Sequence, residues 1–209
     1  SVPTVKLLRE GRIVDEFSGA LPESQVRAFL DKYVAQPADE YLAAAQQARD
    51  SGDLAQAEAI LSRVMEEFPQ DKRAPLMLAE LLAVNGDIDA ANQLLTSLPA
   101  DVGLSPEAEA LRARLAFAAV AADAPDRDTL QRMLAANPQD SQARYQLAAR
   151  LVLAGDAEGA LEHLLALLRR DRHWGDDAAR KGMLQVFDLL GDQGDLVSRY
   201  RRLMFTALH

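Results

Sequence analysis

Three histidines, His163, His173 and His209, are the first residues to test for chemistry, because imidazole binds metals and titrates near neutrality. They show no pairing four residues apart and no carboxylate at a ligand spacing, so ordinary surface or partly packed positions account for them. Two acidic pairs, Glu66-Glu67 and Asp176-Asp177, could supply a general acid and base, but neighbours in a helix point in different directions. Solvated helix faces or helix-start acids explain them better. Arg169, Arg170 and Arg172 cluster at the end of a predicted helix, where cations complement the dipole; a partner-docking patch is the alternative. The chain has no cysteine, which removes disulfides, thiolate metal sites and thiol redox chemistry from these residues. It also has no Gly-rich phosphate loop and no Ser/His/Asp arrangement. An enzyme is not expected here, nor a metal or cofactor.

The elements that would position these residues are mostly helical. Alanine and leucine, 38 and 33 of 209 residues, dominate the composition, while aromatics make up 5%. That bias favours helices packed closely through small side chains. The net charge of −9 argues against binding phosphate backbones or anionic membrane surfaces. No apolar run reaches the ~18 residues of a spanning helix and no charged-then-apolar leader is visible, so a soluble, cytoplasmic protein is expected.

The first 35 residues differ from the rest. Val2 to Leu8 and Arg12 to Phe17 are short β-type runs joined at Glu10-Gly11, a hairpin signal. Leu21-Pro22-Glu23-Ser24 then opens a helix carrying Val26, Phe29, Leu30 and Tyr33 at helical spacing. From residue 38 onward the chain repeats itself. Gly52-Asp53, Gly86-Asp87 and Gly155-Asp156 each precede an alanine by five residues (Ala57, Ala91, Ala160), and four residues later comes Leu61, Leu95 or Leu164. Seven residues before each glycine stands Ala45, Ala79 or Ala148. The glycines are 34 and 69 residues apart, so the period is near 34 with two helices per unit, the tetratricopeptide signature. Small residues sit where the two helices cross, Gly permits the turn, and Asp starts the second helix.

Four units follow, at about 38–71, 72–106, 107–140 and 141–172. The third is degenerate. Leu111, Leu115 and Ala118 mark its first helix and Leu130, Met133 and Leu134 its second, but Ala122-Asp123-Ala124-Pro125 stands where the glycine turn should be. Residues 173–209 read as two capping helices, Asp176 to Leu190 and Asp195 to Leu208. The last 41 residues hold 8 Lys/Arg and 6 Asp/Glu, so the acidity belongs to what precedes them.

A resemblance now enters. Val2-Pro3-Thr4-Val5, Glu10-Gly11-Arg12 and Phe17-Ser18-Gly19-Ala20 resemble the C-terminal third of a thioredoxin fold. Followed by tetratricopeptide units and by Leu167 to Arg172, Trp174 and Asp176 to Lys181, they resemble the bacterial chaperedoxins, thioredoxin-like proteins with C-terminal tetratricopeptide repeats. The resemblance implies a C-terminal fragment, with the strands and helix bearing a Cys-x-x-Cys-like motif lying before Ser1. It implies that Pro3 is the cis-proline facing substrate. It also implies protein-folding and redox-homeostasis roles, with client proteins, chaperonin and Hsp70 as partners. No nucleic acid or membrane partner is expected. A strand at Thr4 to Leu8 would leave an unpaired edge, so the segment is expected to be disordered or to dimerise through that edge.

The fold expected is therefore mainly α, a tetratricopeptide solenoid preceded by a β-β-α remnant. Its inward positions, projected from the repeat register, are Leu42, Gln46 and Arg49, then Arg73, Leu76 and Glu80, then Tyr145, Ala149 and Val152. Such a groove suits apolar or mixed segments of unfolded or oxidation-sensitive clients, with packing between repeats as the plainer role. On the last helix Leu196, Tyr200, Leu203 and Met204 form an apolar stripe beside Arg199, Arg201 and Arg202. The resemblance makes this the chaperonin-docking helix. A holdase that hands clients on is the leading expectation. The alternatives are a thiol-disulfide oxidoreductase whose repeats select partners, and a passive assembly scaffold.

Overall fold

In the computed structural model, which describes residues 3–9, 11–31, 36–191 and 194–208, the N-terminal hairpin signal becomes a two-stranded antiparallel sheet. Strand β1 (Thr4–Arg9) pairs with β2 (Arg12–Ser18), in register Val5↔Phe17 and Leu7↔Asp15, with a bulge between Leu7 and Leu8. Helix α1 (Glu23–Asp31) touches the sheet through Phe29, which meets Phe17 edge-on at 5.0 Å. The expectation of a disordered segment is corrected: strand pairing, the aromatic contact and a Lys6–Glu16 ion pair at 3.4 Å organise it within one chain. Ser1, Val2, Glu10, Tyr33 and His209, which the sequence reading used, lie outside the described residues.

The repeats form as helix pairs. These are α2 (Asp39–Asp50) with α3 (Leu54–Glu67), and α4 (Arg73–Val84) with α5 (Ile88–Ser97). After a short α6 (Ala100–Gly103) come α7 (Pro106–Ala122) and α8 (Arg127–Ala136), then α9 (Ser141–Leu153) with α10 (Ala157–Arg170). The chain ends in α11 (Ala178–Leu189) and α12 (Asp195–Leu208). Gly52, Gly86 and Gly155 turn each hairpin at φ +85°, +88° and +80°, a region that side chains with a Cβ rarely enter. The next residue, Asp53, Asp87 or Asp156, caps the following helix: its carboxylate accepts the N–H of Gln56, Ala90 or Gly159 at 3.0, 3.0 and 2.9 Å. Ala57, Ala79, Ala91, Ala148 and Ala160 are all fully buried at the crossings.

The third unit solves its missing glycine differently. Arg150, on α9 of the next unit, reaches back to the end of α7. Its guanidinium donates to the carbonyls of Ala121 (3.1 Å), Ala124 (2.6 Å) and Pro125 (2.5 Å). A side chain from the neighbouring repeat thus satisfies carbonyls that the turn leaves without helical partners. Arg112 does similar work around α6, donating to the carbonyls of Gly103 and Leu95.

In an open solenoid each unit touches only its neighbours. Here α7 packs against α9 and also against α11, while α10 packs against both α9 and α11. The four helices close a ring around Phe117, Ala148, Ala149, Leu161, Leu164, Met183 and Phe187, and α12 adds Val197 and Tyr200 through its contact with α10. At Gly182 the approach is tight: a Cβ there would lie 3.1 Å from Leu164 and 3.4 Å from Tyr145, so those side chains would have to give way. Smaller cores serve the first two units, one around Leu42, Leu61 and Val64 and another around Leu95, Leu111 and Leu115.

One boundary differs from expectation. The helix predicted from Asp176 begins at Ala178, because Gly175, Asp176 and Asp177 take φ of +59°, +57° and +61°. Left-handed residues other than glycine cost about 1–3 kcal/mol each unless surrounding contacts hold them. Here Asp176 pairs with Lys181, the Asp177 carboxylate accepts from His173 Nδ1 at 2.9 Å, and Trp174 packs on Tyr145.

Candidate protein-binding surface

Most of the inward positions projected from the register hold the repeats together. Leu42 is buried in the first core and Leu76 packs on the second. Arg49 lies 3.8 Å from Glu80, and Arg73 bonds Asp39 at 2.7 Å and Asp71 at 2.6 Å, so both arginines tie the first unit to the second. Gln46 donates to Asp50 on its own helix. Among these charges Asp39 and Asp71 are held below the usual carboxylate range. For Asp39 the Gln36 backbone N–H and then Arg73 are responsible; for Asp71 burial pushes upward, and the bonds from Arg73 outweigh it.

In the fourth unit the projection is corrected. Ala149 is fully buried, and Tyr145 and Val152 pack against the same C-terminal core, because α11 closes over that side of the solenoid. Ala149 is thereby removed from any client-facing surface, while Tyr145 and Val152 are half-buried.

The last helix is corrected in the same sense. Tyr200 is 3% exposed, and Leu196, Leu203 and Met204 pack on the C-terminal core, so the apolar stripe points inward. Arg199 pairs with Glu158 of α10 and lies 4.8 Å from the Tyr200 ring centroid. The side chains that α12 leaves exposed include Arg201, Arg202 and Phe205, the last 65% exposed. Of the basic cluster before it, Arg170 donates to the Pro138 carbonyl and to Ser141, and Arg172 to the Leu208 carbonyl; both therefore bind structure together.

Pro3 is exposed at the open end of the hairpin, where its carbonyl accepts the Gly19 N–H at 2.8 Å. His163 is half-buried on α10. Its Nδ1 is covered and has no hydrogen-bond partner, and burial, then Arg144, holds its pKa below the ordinary value. His173 contacts Asp177, four residues on, across a loop whose left-handed residues no spacing in the sequence announced. Among the described residues no three His, Asp or Glu side chains converge as a metal site.

The surface left open was legible only in part. Val84 is 68% exposed and Leu153 is 43% exposed, and both stand two residues before a turn glycine, the same place in the repeat. Leu104, between α6 and α7, is 70% exposed. Val84, Leu104 and Leu153 are thus among the large apolar side chains that the repeats leave in water, two of them at one repeat position. Their signal in the sequence was the register position itself.

The comparisons bear on this surface. Two tetratricopeptide-repeat family profiles match the chain, one over residues 48–115 and the other over residues 120–209, so the repeat signal runs through the two helices read as caps. An uncharacterized protein of Haemophilus influenzae is 26% identical over 213 residues, spanning 100% of this chain and 96% of its own. Among solved structures, a domain of a Vibrio parahaemolyticus protein of unknown function is 25% identical, with 82% of this chain and 99% of that chain covered and a TM-score of 0.37. A thermophilic tetratricopeptide protein of Thermus thermophilus is 19% identical, covering 79% and 98%, with a TM-score of 0.38. No described helix is long and apolar enough to cross a membrane. With helix pairs turned by glycine, capped by aspartate and crossed through alanine, the chain carries tetratricopeptide repeats over both matched stretches, and such repeats imply binding to other proteins.

Proposed function

We propose that the chain is a non-catalytic holdase of the co-chaperone type, which captures apolar segments of unfolded or oxidation-sensitive proteins and passes them to chaperonin or Hsp70 machinery. The observation that carries the reading is the exposure of Val84 and Leu153 at one repeat position, with Leu104 also in water. An apolar client segment would cover these side chains and gain about 25 cal/mol for each Å2 removed from water. The β-β-α segment with exposed Pro3 is the part that resembles a thioredoxin fold, and the outward Arg202 and Phe205 of α12 offer a chaperonin contact. The oxidoreductase alternative would have to draw its thiols from outside these residues.

The test is suppression of aggregation of a chemically unfolded model protein. Replacing Val84, Leu104 and Leu153 together with serine touches only exposed side chains and is expected to abolish suppression while leaving the helical circular dichroism intact. Unchanged suppression would overturn the reading, and a wild-type chain that suppresses nothing would favour a passive scaffold. Chaperonin hand-over is tested by co-elution with Arg202→Glu and Phe205→Ser, rather than by deleting α12, whose Val197 and Tyr200 are core residues. Loss of co-elution is expected.

A further inference from the structure

The closing of α11 onto α7 leaves a recess of about 440 Å3 between the end of α7, the start of α9 and the loop carrying Trp174. Its floor is aromatic: Tyr145 and Trp174 lie with ring centroids 5.4 Å apart at 55°. Its polar rim is Asp123 on one side and Gln142 and Gln146, one helical turn apart on α9, on the other. The side chains of Asp123, Gln142, Gln146 and Trp174 make no hydrogen bond or ion pair among the described residues. By contrast, the turn aspartates cap helices, and Arg73, Arg112, Arg150 and Arg170 each bind two or more acceptors.

The loop that forms one wall is held in an unusual state. Three successive left-handed residues, Gly175 to Asp177, follow Trp174 directly, and side-chain contacts from His173 and Lys181 secure them. Strained backbone of this kind persists where the surroundings enforce it, and its effect here is to set the indole against Tyr145 at the mouth of the recess. Lys181 is already paired with Asp176, which leaves Asp123 as the unpaired charge on the rim.

We propose that this recess binds an arginine side chain of a partner polypeptide. A guanidinium is planar, so it stacks on an indole or phenol face while its N–H fork points edge-on to a carboxylate; a lysine ammonium offers only a point charge. The guanidinium stacks on the Trp174 indole, with the Tyr145 ring against its edge, and donates to Asp123. The Gln142 and Gln146 amides each hold a donor and an acceptor, and they bond the peptide backbone on either side of the arginine. The proposal is independent of the holdase reading, because Val84, Leu104 and Leu153 do not line the recess and the assay uses no unfolded client.

Trp174 is the only tryptophan in the chain, so its fluorescence reports on the recess alone. The full chain is titrated with the blocked pentapeptide Gly-Gly-Arg-Gly-Gly, with its citrulline counterpart, which keeps the shape and loses the charge, and with its lysine counterpart. Saturable change in Trp174 emission is expected with the arginine peptide, at least ~10-fold tighter than with citrulline or lysine, a difference of about 1.4 kcal/mol. Asp123→Asn, at an exposed position, is expected to remove the preference over citrulline, and Tyr145→Leu to weaken all binding. No saturable response, equal binding of the three peptides, or an unchanged preference in Asp123→Asn overturns the proposal.

Discussion

At the scale of single residues, the polar side chains divide into those that complete backbone turns and those left for solvent or a partner. His163 belongs to neither group. It is half-buried on α10, its Nδ1 has no partner, and desolvation together with the nearby Arg144 and Arg127 favours the neutral ring, against a weaker pull from Glu162 and Asp156. Its folded pKa is thus depressed, and the unfolded chain takes up the proton first. Stability contributed above the unfolded value of about 6.5 is lost as pH falls toward the folded one. Urea midpoints measured at pH 7.5 and 5.5 should fall for the wild type and fall less for His163→Leu. The depressed carboxylates Asp39 and Asp71 lose their contribution only as pH falls below about 5, outside that window.

At the scale of elements, the repeat depends on a small set of parts, and the third unit shows what happens when one is missing. Glycine and a capping aspartate turn the other hairpins locally, within one unit. The α7–α8 connection instead borrows Arg150 from α9, so its closure depends on the fourth unit being folded. Replacing Arg150 with methionine keeps the apolar stem and strands the carbonyls of Ala124 and Pro125, while that of Ala121 still accepts the Ala124 N–H. Hydrogen bonds from a charged donor are worth about 1.5–3 kcal/mol, so a loss of about 2 kcal/mol is expected. That corresponds to a fall of roughly 4–8 °C in Tm for a chain of this size, read by thermal circular dichroism. Restoring a glycine at Ala122 should not by itself recover the loss, because Arg150 also bonds Ala124 and Pro125.

At the scale of the molecule, charge and packing are segregated in opposite senses. Residues 38–110 hold 14 Asp/Glu against 4 Lys/Arg, whereas residues 111–209 hold 13 against 14. The acidic units have small separate cores, while the nearly neutral C-terminal half has the ring of α7, α9, α10 and α11. Amide hydrogen exchange should therefore be slowest in α10 and α11 and faster in α2 and α3. Added salt, by screening like charges, should slow exchange in α2 to α5 more than in α10 and α11. Equal protection in both halves would show that ring closure does not govern local stability.

The order of elements, the 34-residue register, the turn glycines, the capping aspartates and the buried alanines follow from the sequence alone, because each acts within a few residues of backbone. Helix crossing needs a small side chain, a tight turn needs positive φ, and a helix start needs an acceptor; all three needs leave a residue type at a fixed spacing. The candidate site was less legible. Register placed Leu42, Gln46, Arg49, Arg73, Leu76 and Glu80 on one side of the repeats but could not say that several of them bind the units together. The closing of α11 onto α7 put Ala149 in the core, turned the stripe of α12 inward and opened the Tyr145–Trp174 recess. Those outcomes belong to tertiary structure, since they depend on how far helices 60 residues apart approach, a distance set by Phe117, Gly182 and Leu164 together rather than by any local pattern.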